Sequence, residues 1–255
     1  MLMVIDVGNT QTALGLFEGS ELQHTWRITT TRDRTVDEMR LLLAALLDED
    51  GFAEIDIEGV AVSSVVPNVT AALRGALPGF TTGDIVFVGP GVKTGMPIRI
   101  DNPREVGADR VVNSISAIED YGAPVVVVDF GTATTFDVVS RGGEYVGGAI
   151  APGLNVSFDA LVQVASALSS VDLGELPPSP IGKNTAEAMQ SGMLYGYAGL
   201  VDGIMNRIVH ELGGEVPTVG TGGIATMIVP LCQSVEHIDE SLTLRGLRLI
   251  YERNQ

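Results

Sequence analysis

The chain is poor in lysine, cysteine and aromatic rings. Two lysines, Lys93 and Lys183, stand against thirteen arginines, and 32 acidic residues bring the net charge to −17. That balance argues against general binding to nucleic acid or anionic membranes. The lysine shortage itself reads as compositional bias, although both lysines fall in glycine-bearing segments, GVKTG and IGKNT. A single cysteine, Cys232, excludes an internal disulfide and points to the cytoplasm. His24, His210 and His237 are too scattered to read as a metal centre. Absent too are the Gly-x-Ser-x-Gly elbow of serine hydrolases, the Gly-Lys-Ser/Thr of a Walker A loop and a G-x-G-x-x-G fingerprint after a first strand. No apolar run reaches the length of a membrane span. The start, MLMVIDVG, has no basic region ahead of its apolar residues, so no signal peptide is expected.

What is present is a repeated pattern. VIDVGNTQT near the start and VVDFGTATT near the middle both read apolar, apolar, Asp, apolar, Gly, then polar residues with threonine. Asp6 and Asp129 lie 123 positions apart, about half of the 255 residues. A lone Asp-x-Gly ends many strands, but two at half-chain spacing imply a duplicated domain. We expect halves over 1–118 and 119–255. The first reads as strands at 2–7, 11–17 and 22–28, a helix from Val36 to Leu47, a strand at 59–64 and a helix after Pro67. The second reads as strands at 124–129, 133–139 and 144–150, helices over 153–169 and 184–212, a strand at 216–220 and helical segments to the end. LPPSP, residues 176–180, reads as a loop. Strands first, then alternating helix and strand, predict a mixed α/β layer.

Asp-x-Gly-x-Thr after a strand carries recognisable chemistry. The glycine permits a tight turn and lets backbone N–H groups approach an anion. Asn9, Thr10, Thr132, Thr134 and Thr135 can donate to phosphate oxygens, and Asp6 and Asp129 can hold a cation that neutralises them. Two such hairpins can clamp a nucleotide triphosphate. The Gly-rich turn in VPTVGTGGIA, residues 216–225, taken alone reads equally as a plain helix start, but its place after two Asp-x-Gly hairpins favours a nucleotide contact. In DNPREVGADR, Asn102, Pro103 and Glu105 read as N-cap, N1 and N3 of a helix. That helix carries Val111, Ile115 and Ile118 on one face, with Asp109 and Asn113 a turn apart elsewhere. From spacing alone, Asp109 serves equally as a catalytic acid or as a surface partner of Arg104 or Arg110.

Taken in order, DVGNT, DNPREVGADR, DFGTATTFD, EYVGGAIAPGL, IGKNTAEAMQSG and the GTGG turn closely resemble type III pantothenate kinases, over almost the whole chain. The resemblance implies a duplicated actin-like (ribonuclease H-like) α/β fold, two mixed-sheet domains with a nucleotide cleft between them. It implies a homodimer whose substrate site is shared between subunits. It also implies phosphorylation of the primary hydroxyl of pantothenate by ATP with Mg²⁺, aided by K⁺ or NH₄⁺, as the first step of coenzyme A synthesis. By position, Asp6, Val7, Gly8, Asn9, Thr10, Gln11, Thr12 and Ala13 match the first phosphate loop, with Asp6 near the magnesium nucleotide. Thr132 matches a phosphate contact, Gly222 and Gly223 the adenosine turn, and Asp129 the monovalent-cation ligand. Asp109 matches the base that takes the hydroxyl proton. Gly107, Ala108, Asp109 and Arg110 match the pantothenate motif, and Thr185 a contact from the second subunit. Ile100 stands where many relatives carry an aromatic substrate wall, and Ala13 where several carry a basic side chain. Two other functions remain open on sequence. One is a weak or inactive nucleotide-binding regulator of the same fold; the other is an actin-like exopolyphosphatase or chaperone-type ATPase.

Overall fold

The computed structural model describes residues 1–165 and 170–255. Its strands in chain order are β1 (Leu2–Val7), β2 (Gln11–Glu18), β3 (Glu21–Thr29), β4 (Gly59–Ser64), β5 (Ile85–Phe87), β6 (Val125–Phe130), β7 (Ala133–Val139), β8 (Tyr145–Pro152), β9 (Thr218–Thr221) and β10 (His237–Ile238). Its α-helices are α1 (Val36–Glu49), α2 (Pro67–Ala76), α3 (Ala108–Tyr121), α4 (Leu154–Val164), α5 (Thr185–Leu212), α6 (Ala225–Ile228) and α7 (Leu242–Arg253). None of the helices in the described residues is long and apolar enough to cross a membrane. The helix expected over 153–169 stops at Val164; residues 166–169 lie outside the described residues.

Two compact units result. The first comprises Met1–Pro97, Asp101–Ser116 and Ser241–Gln255, the second Ile98–Ile100 and Ala117–Glu240. A division into consecutive halves places residues 241–255 in the second unit, whereas the structure places them in the first. The reason is burial. Helix α7 turns Leu242, Leu247 and Ile250 inward, all fully buried, and packs on β1, β4 and β2. The first unit's sheet runs β3-β2-β1-β4-β5, and the second's runs β10-β9-β6-β7-β8. Read from the other edge, the second has the same order of equivalent strands. In both sheets the first strand pairs antiparallel with the second and parallel with the fourth. The duplication inferred from two short motifs therefore extends to whole sheets.

Local chemistry explains the elements. Val125 to Val128 are all fully buried, as a central strand covered on both faces requires. Helix α1 starts at a capping box of Thr35 and Glu38 and buries Met39, Leu43 and Leu47, spaced four apart on one stripe. Those side chains join Met3, Ile5, Val7, Leu14 and Leu16 in the first unit's core. The second unit's core collects Val126, Val128, Phe130 and Phe136 with Leu194, Tyr197, Val201 and Met205 of α5. Strands β5 and β10 were not expected; with three and two residues they carry too little pattern to stand out.

Candidate active site

In the first unit, registered partners on neighbouring strands share one face of the sheet. Arg27 on β3 faces Ala13 on β2, Ala13 faces Asp6 on β1, and Asp6 faces Ser63 on β4. Asp6 thus ends a row beside Ser63, whose buried hydroxyl has no hydrogen-bond partner among the described residues. The loop that follows is tight: the Gly8 N–H donates to the Gln11 carbonyl at 3.0 Å. Asn9, Thr10 and Gln11 are exposed, and Val7 is buried. Thr12 is buried, with its hydroxyl 2.8 Å from that of Thr30, so this hydroxyl fastens β2 to the chain after β3. Two arginines approach the loop. Arg27 donates to Gln11 Oε1 at 3.4 Å and Arg32 to Asn9 Oδ1 at 3.3 Å.

Asp109 lies in the first turn of α3. The expected single capped helix from Asn102 is instead two pieces. Asn102 caps a 3₁₀ turn over Pro103–Glu105, Val106 is extended, and the α-helix begins at Ala108. The proline sets the turn, and the extended residue after it breaks the helical hydrogen-bond ladder. This break places Gly107 directly before the helix. The Asp109 carboxylate folds back there, with Oδ1 accepting the Arg110 N–H at 2.9 Å. A Cβ on Gly107 would stand 2.4 Å from that oxygen, so the glycine makes room for the acid. Burial pushes the Asp109 carboxyl above the ordinary range, against the opposing pull of the Arg110 N–H and guanidinium. Asp109 is half-buried rather than fully solvated, and desolvation of this kind favours the protonated form of a carboxyl. The helix is pinned a turn later. Buried Asn113 accepts from the Thr243 hydroxyl at 2.7 Å, and the α7 backbone at Gly246 presses on the Val112 carbonyl.

The second unit repeats the row with different side chains. Ile150 on β8 faces Thr135 on β7, Thr135 faces Asp129 on β6, and Asp129 faces Thr221 on β9. The turn after β9 closes on this acid. Gly222 has φ of +98°, and a Cβ there would lie 2.5 Å from Asp129 Oδ1 and 2.7 Å from the Phe130 nitrogen. Gly223 follows in the turn before α6. Thr132 stands in the loop between β6 and β7, where its carbonyl accepts the Gly153 N–H at 3.1 Å. Thr134, expected to meet phosphate, does not face this side. Strand alternation turns it inward, where it is fully buried and its hydroxyl bonds that of Tyr197.

Sequence reasoning missed a buried network beside this row. Asp137, fully buried, accepts from the Tyr145 hydroxyl at 2.9 Å and from Thr135 Oγ1 at 3.2 Å. Tyr145 also bridges to Ile98, and its carbonyl accepts the Arg99 N–H at 2.7 Å. That fixes the short segment carrying Ile100, whose side chain packs towards Gly147. The acid eight places after Asp129 was the available signal. Thr185 is exposed at the start of α5, where Asn184 caps by accepting the Glu187 N–H at 2.9 Å. It lines an open apolar depression with Leu161, Ala188, Met189, Gly192 and Met193. Burial, with the Asp202 charge, pushes the half-buried Cys232 thiol up to about 12, which disfavours the thiolate.

No group of three or more His, Cys, Asp or Glu side chains gathers for an ion among the described residues. A cation at Asp6 or Asp129 would rest on one carboxylate plus hydroxyl, carbonyl, water or phosphate oxygens. Those hard donors suit Mg²⁺ held through a nucleotide's phosphates, and an alkali cation. Asp6 beside the unsatisfied Ser63 hydroxyl fits the first; Asp129, with Thr135 and the Gly222 turn against it, fits the second.

Solved structures define the class. Component A of (R)-2-hydroxyglutaryl-CoA dehydratase from Acidaminococcus fermentans superposes with a TM-score of 0.59 at 14% identity, covering 100% of this chain and 99% of that one. The ROK hexokinase of Thermus thermophilus gives 0.55 at 15%, again covering 100% and 99%. At such identity the likeness establishes the fold alone, a duplicated actin-like α/β fold. The family is narrower. The type III pantothenate kinase family model matches residues 2–207. Type III pantothenate kinases of Moorella thermoacetica and Myxococcus xanthus are 50% and 51% identical, covering 100% of this chain and 100% and 99% of their own lengths. The Thermomicrobium roseum protein is 49% identical over 99% of this chain and 97% of its own. The chain belongs to the type III pantothenate kinase family.

Proposed function

We propose that the chain transfers the γ-phosphoryl group of ATP to the primary hydroxyl of pantothenate, giving 4'-phosphopantothenate and ADP at the head of coenzyme A biosynthesis. Family membership over the full length supports the reaction, and one local observation carries the chemistry. That observation is the Asp109 carboxylate held against Gly107, its pKa raised by burial. Phosphoryl transfer is mostly positioning and charge stabilisation. Asp109 orients the hydroxyl and accepts its proton as the new O–P bond forms. Asn9, Thr10 and Thr132 donate to phosphate oxygens, and the Gly222–Gly223 turn seats the adenosine. Gly107, Ala108, Arg110 and the Ile100 wall hold pantothenate. Asp6 would hold Mg²⁺ through the nucleotide and Asp129 a K⁺ or NH₄⁺ ion; bound there, these cations neutralise charge on the phosphates. An inactive regulatory role is disfavoured, because the acids at 6, 109 and 129 are all present.

The site is completed by a second copy of the chain, which supplies Thr185. The apolar depression beside Thr185, with Val164 82% and Ile181 79% exposed nearby in the chain, supports this. The test of the reaction is ADP release by purified protein given ATP and pantothenate. Release that depends on pantothenate is expected; equal release without it points to the ATPase reading instead. The shared site is tested by co-expressing Asp109→Asn with Thr185→Arg. With random pairing, roughly a quarter of wild-type activity should return in the mixture. A mixture as inactive as its parents, with mixed dimers present, places both residues in one subunit's site.

A further inference from the structure

We propose that Arg27 and Arg32 bind the polyphosphate of the nucleotide at the first loop, Arg27 reaching it past the small side chain of Ala13. The inference rests on the ATP-dependent kinase reading and adds two residues to it.

Three observations carry it. First, the row Arg27–Ala13–Asp6 points to one face of the sheet. Ala13 is a single methyl group between a long cationic side chain and the acid at the loop, so nothing at position 13 blocks Arg27 from lying towards that acid. Second, both guanidiniums already reach the loop, and they do so through neutral acceptors, the amide oxygens of Gln11 and Asn9. Third, neither arginine makes an ion pair among the described residues, although 32 acids are available. Some other arginines do, as Arg40 with Asp37, Arg99 with Glu144 and Arg248 with Glu252; what sets Arg27 and Arg32 apart from the rest is that both reach the first loop. Two uncompensated guanidiniums held by the exposed amides of Asn9 in the turn and Gln11 at the start of β2 form a donor set suited to phosphate oxygens. A ligand anion would take the place that carboxylates fill elsewhere.

Calorimetric titration with ATP, ADP, adenosine and inorganic tripolyphosphate, each with Mg²⁺, tests this on the full chain. Arg27→Gln should weaken ATP about 10- to 100-fold, the usual worth of hydrogen bonds to a charged group. Arg32→Gln, which removes the contact to Asn9 only, should weaken it by up to about fivefold. Adenosine binding should be unchanged in both, and ATP binding unchanged in Arg40→Gln. In turnover, KM for ATP should rise while KM for pantothenate and the melting temperature stay put. Adding Ala13→Lys to Arg27→Gln should restore part of the ATP affinity, a rescue that a structural role for Arg27 does not allow. Loss of tripolyphosphate binding alone, with ATP unaffected, would contradict the nucleotide assignment. ATP affinity within about twofold of wild type in Arg27→Gln, or equal weakening of adenosine, overturns the proposal. Wild-type controls keep it distinct from the substrate assignment. If wild type binds ATP but releases no pantothenate-dependent ADP, the substrate reading fails while the phosphate contacts stand or fall by the variants.

Discussion

The two Asp-x-Gly hairpins share strand order, register and the acid, but not its surroundings. In the first unit the row across the sheet is Arg27, Ala13, Asp6, Ser63; in the second it is Ile150, Thr135, Asp129, Thr221. Each acid has a buried hydroxyl residue as its parallel neighbour. The opposite end differs: a guanidinium in one, an exposed isoleucine in the other. The first loop stays open, with Asn9 and Thr10 exposed beside two arginines. The second is crowded by the Gly222 backbone and backed by the Asp137–Tyr145 network. Duplication preserved a geometry while the side chains around it changed. On the proposed reading one loop meets phosphate charge and the other would hold a cation among hydroxyl and carbonyl oxygens.

Breaking the first unit's chemistry should have the largest effect. Asp109→Asn keeps the shape and the Arg110 N–H contact but cannot take a proton, so kcat should fall about 10²- to 10⁴-fold. The same variant tests the burial argument. An acid whose folded pKa is raised contributes stability below its unfolded pKa and loses that contribution as pH rises through the folded value. Above it the ionised carboxylate costs stability, so the asparagine variant should melt at the same or a higher temperature near pH 7. In the wild-type enzyme the rate should fall on the acid side with a midpoint above the ordinary aspartate value of about 3.9. Near-normal turnover in the variant removes Asp109 from the role of base.

A smaller effect comes from adding one methyl group beside each acid. Gly222→Ala meets backbone as well as Asp129, at a positive φ, and should cost about 1–3 kcal/mol of stability along with activity. Gly107→Ala clashes only with the Asp109 carboxylate, which can swing away, and touches Arg110 Cγ at an ordinary 3.7 Å, so it should slow turnover with little change in melting temperature. Equal stability losses would mean that Gly107 is as constrained as Gly222. Smaller again, Tyr145→Phe removes one donor from buried Asp137 and should destabilise by about 1–3 kcal/mol, read from a denaturant midpoint. No loss would show that the hydroxyl contact to Asp137 contributes nothing to stability.

Much of this was legible in the sequence because the informative features are local. An apolar run ending in Asp-x-Gly shows a buried strand meeting a turn, and both hairpins follow from it. Asp109 and its glycine sit together in one short motif. What was hidden depends on pairing across the sheet. Thr134 and Thr135 look alike in sequence, yet alternation sends one into the core and the other beside Asp129. Arg27 lies 21 positions from Asp6, and only the β1–β2–β3 register sets them on one face. Helix α7 shows an apolar stripe, but nothing in the stripe says that it covers the first unit's sheet. The 3₁₀ turn before α3 shares its capping residues with a helix start, and the extended Val106 that separates them has no signature of its own.

The division of labour between the hairpins is tested most directly by cation preference. Initial rates of pantothenate phosphorylation are measured in potassium, ammonium and sodium for wild type, Asn9→Ala and Asp129→Asn. Potassium and ammonium should exceed sodium in wild type. The preference should survive in Asn9→Ala, which damages only the phosphate loop, and should flatten in Asp129→Asn. Equal rates in all three salts for wild type, or a preference retained in Asp129→Asn, would contradict the account.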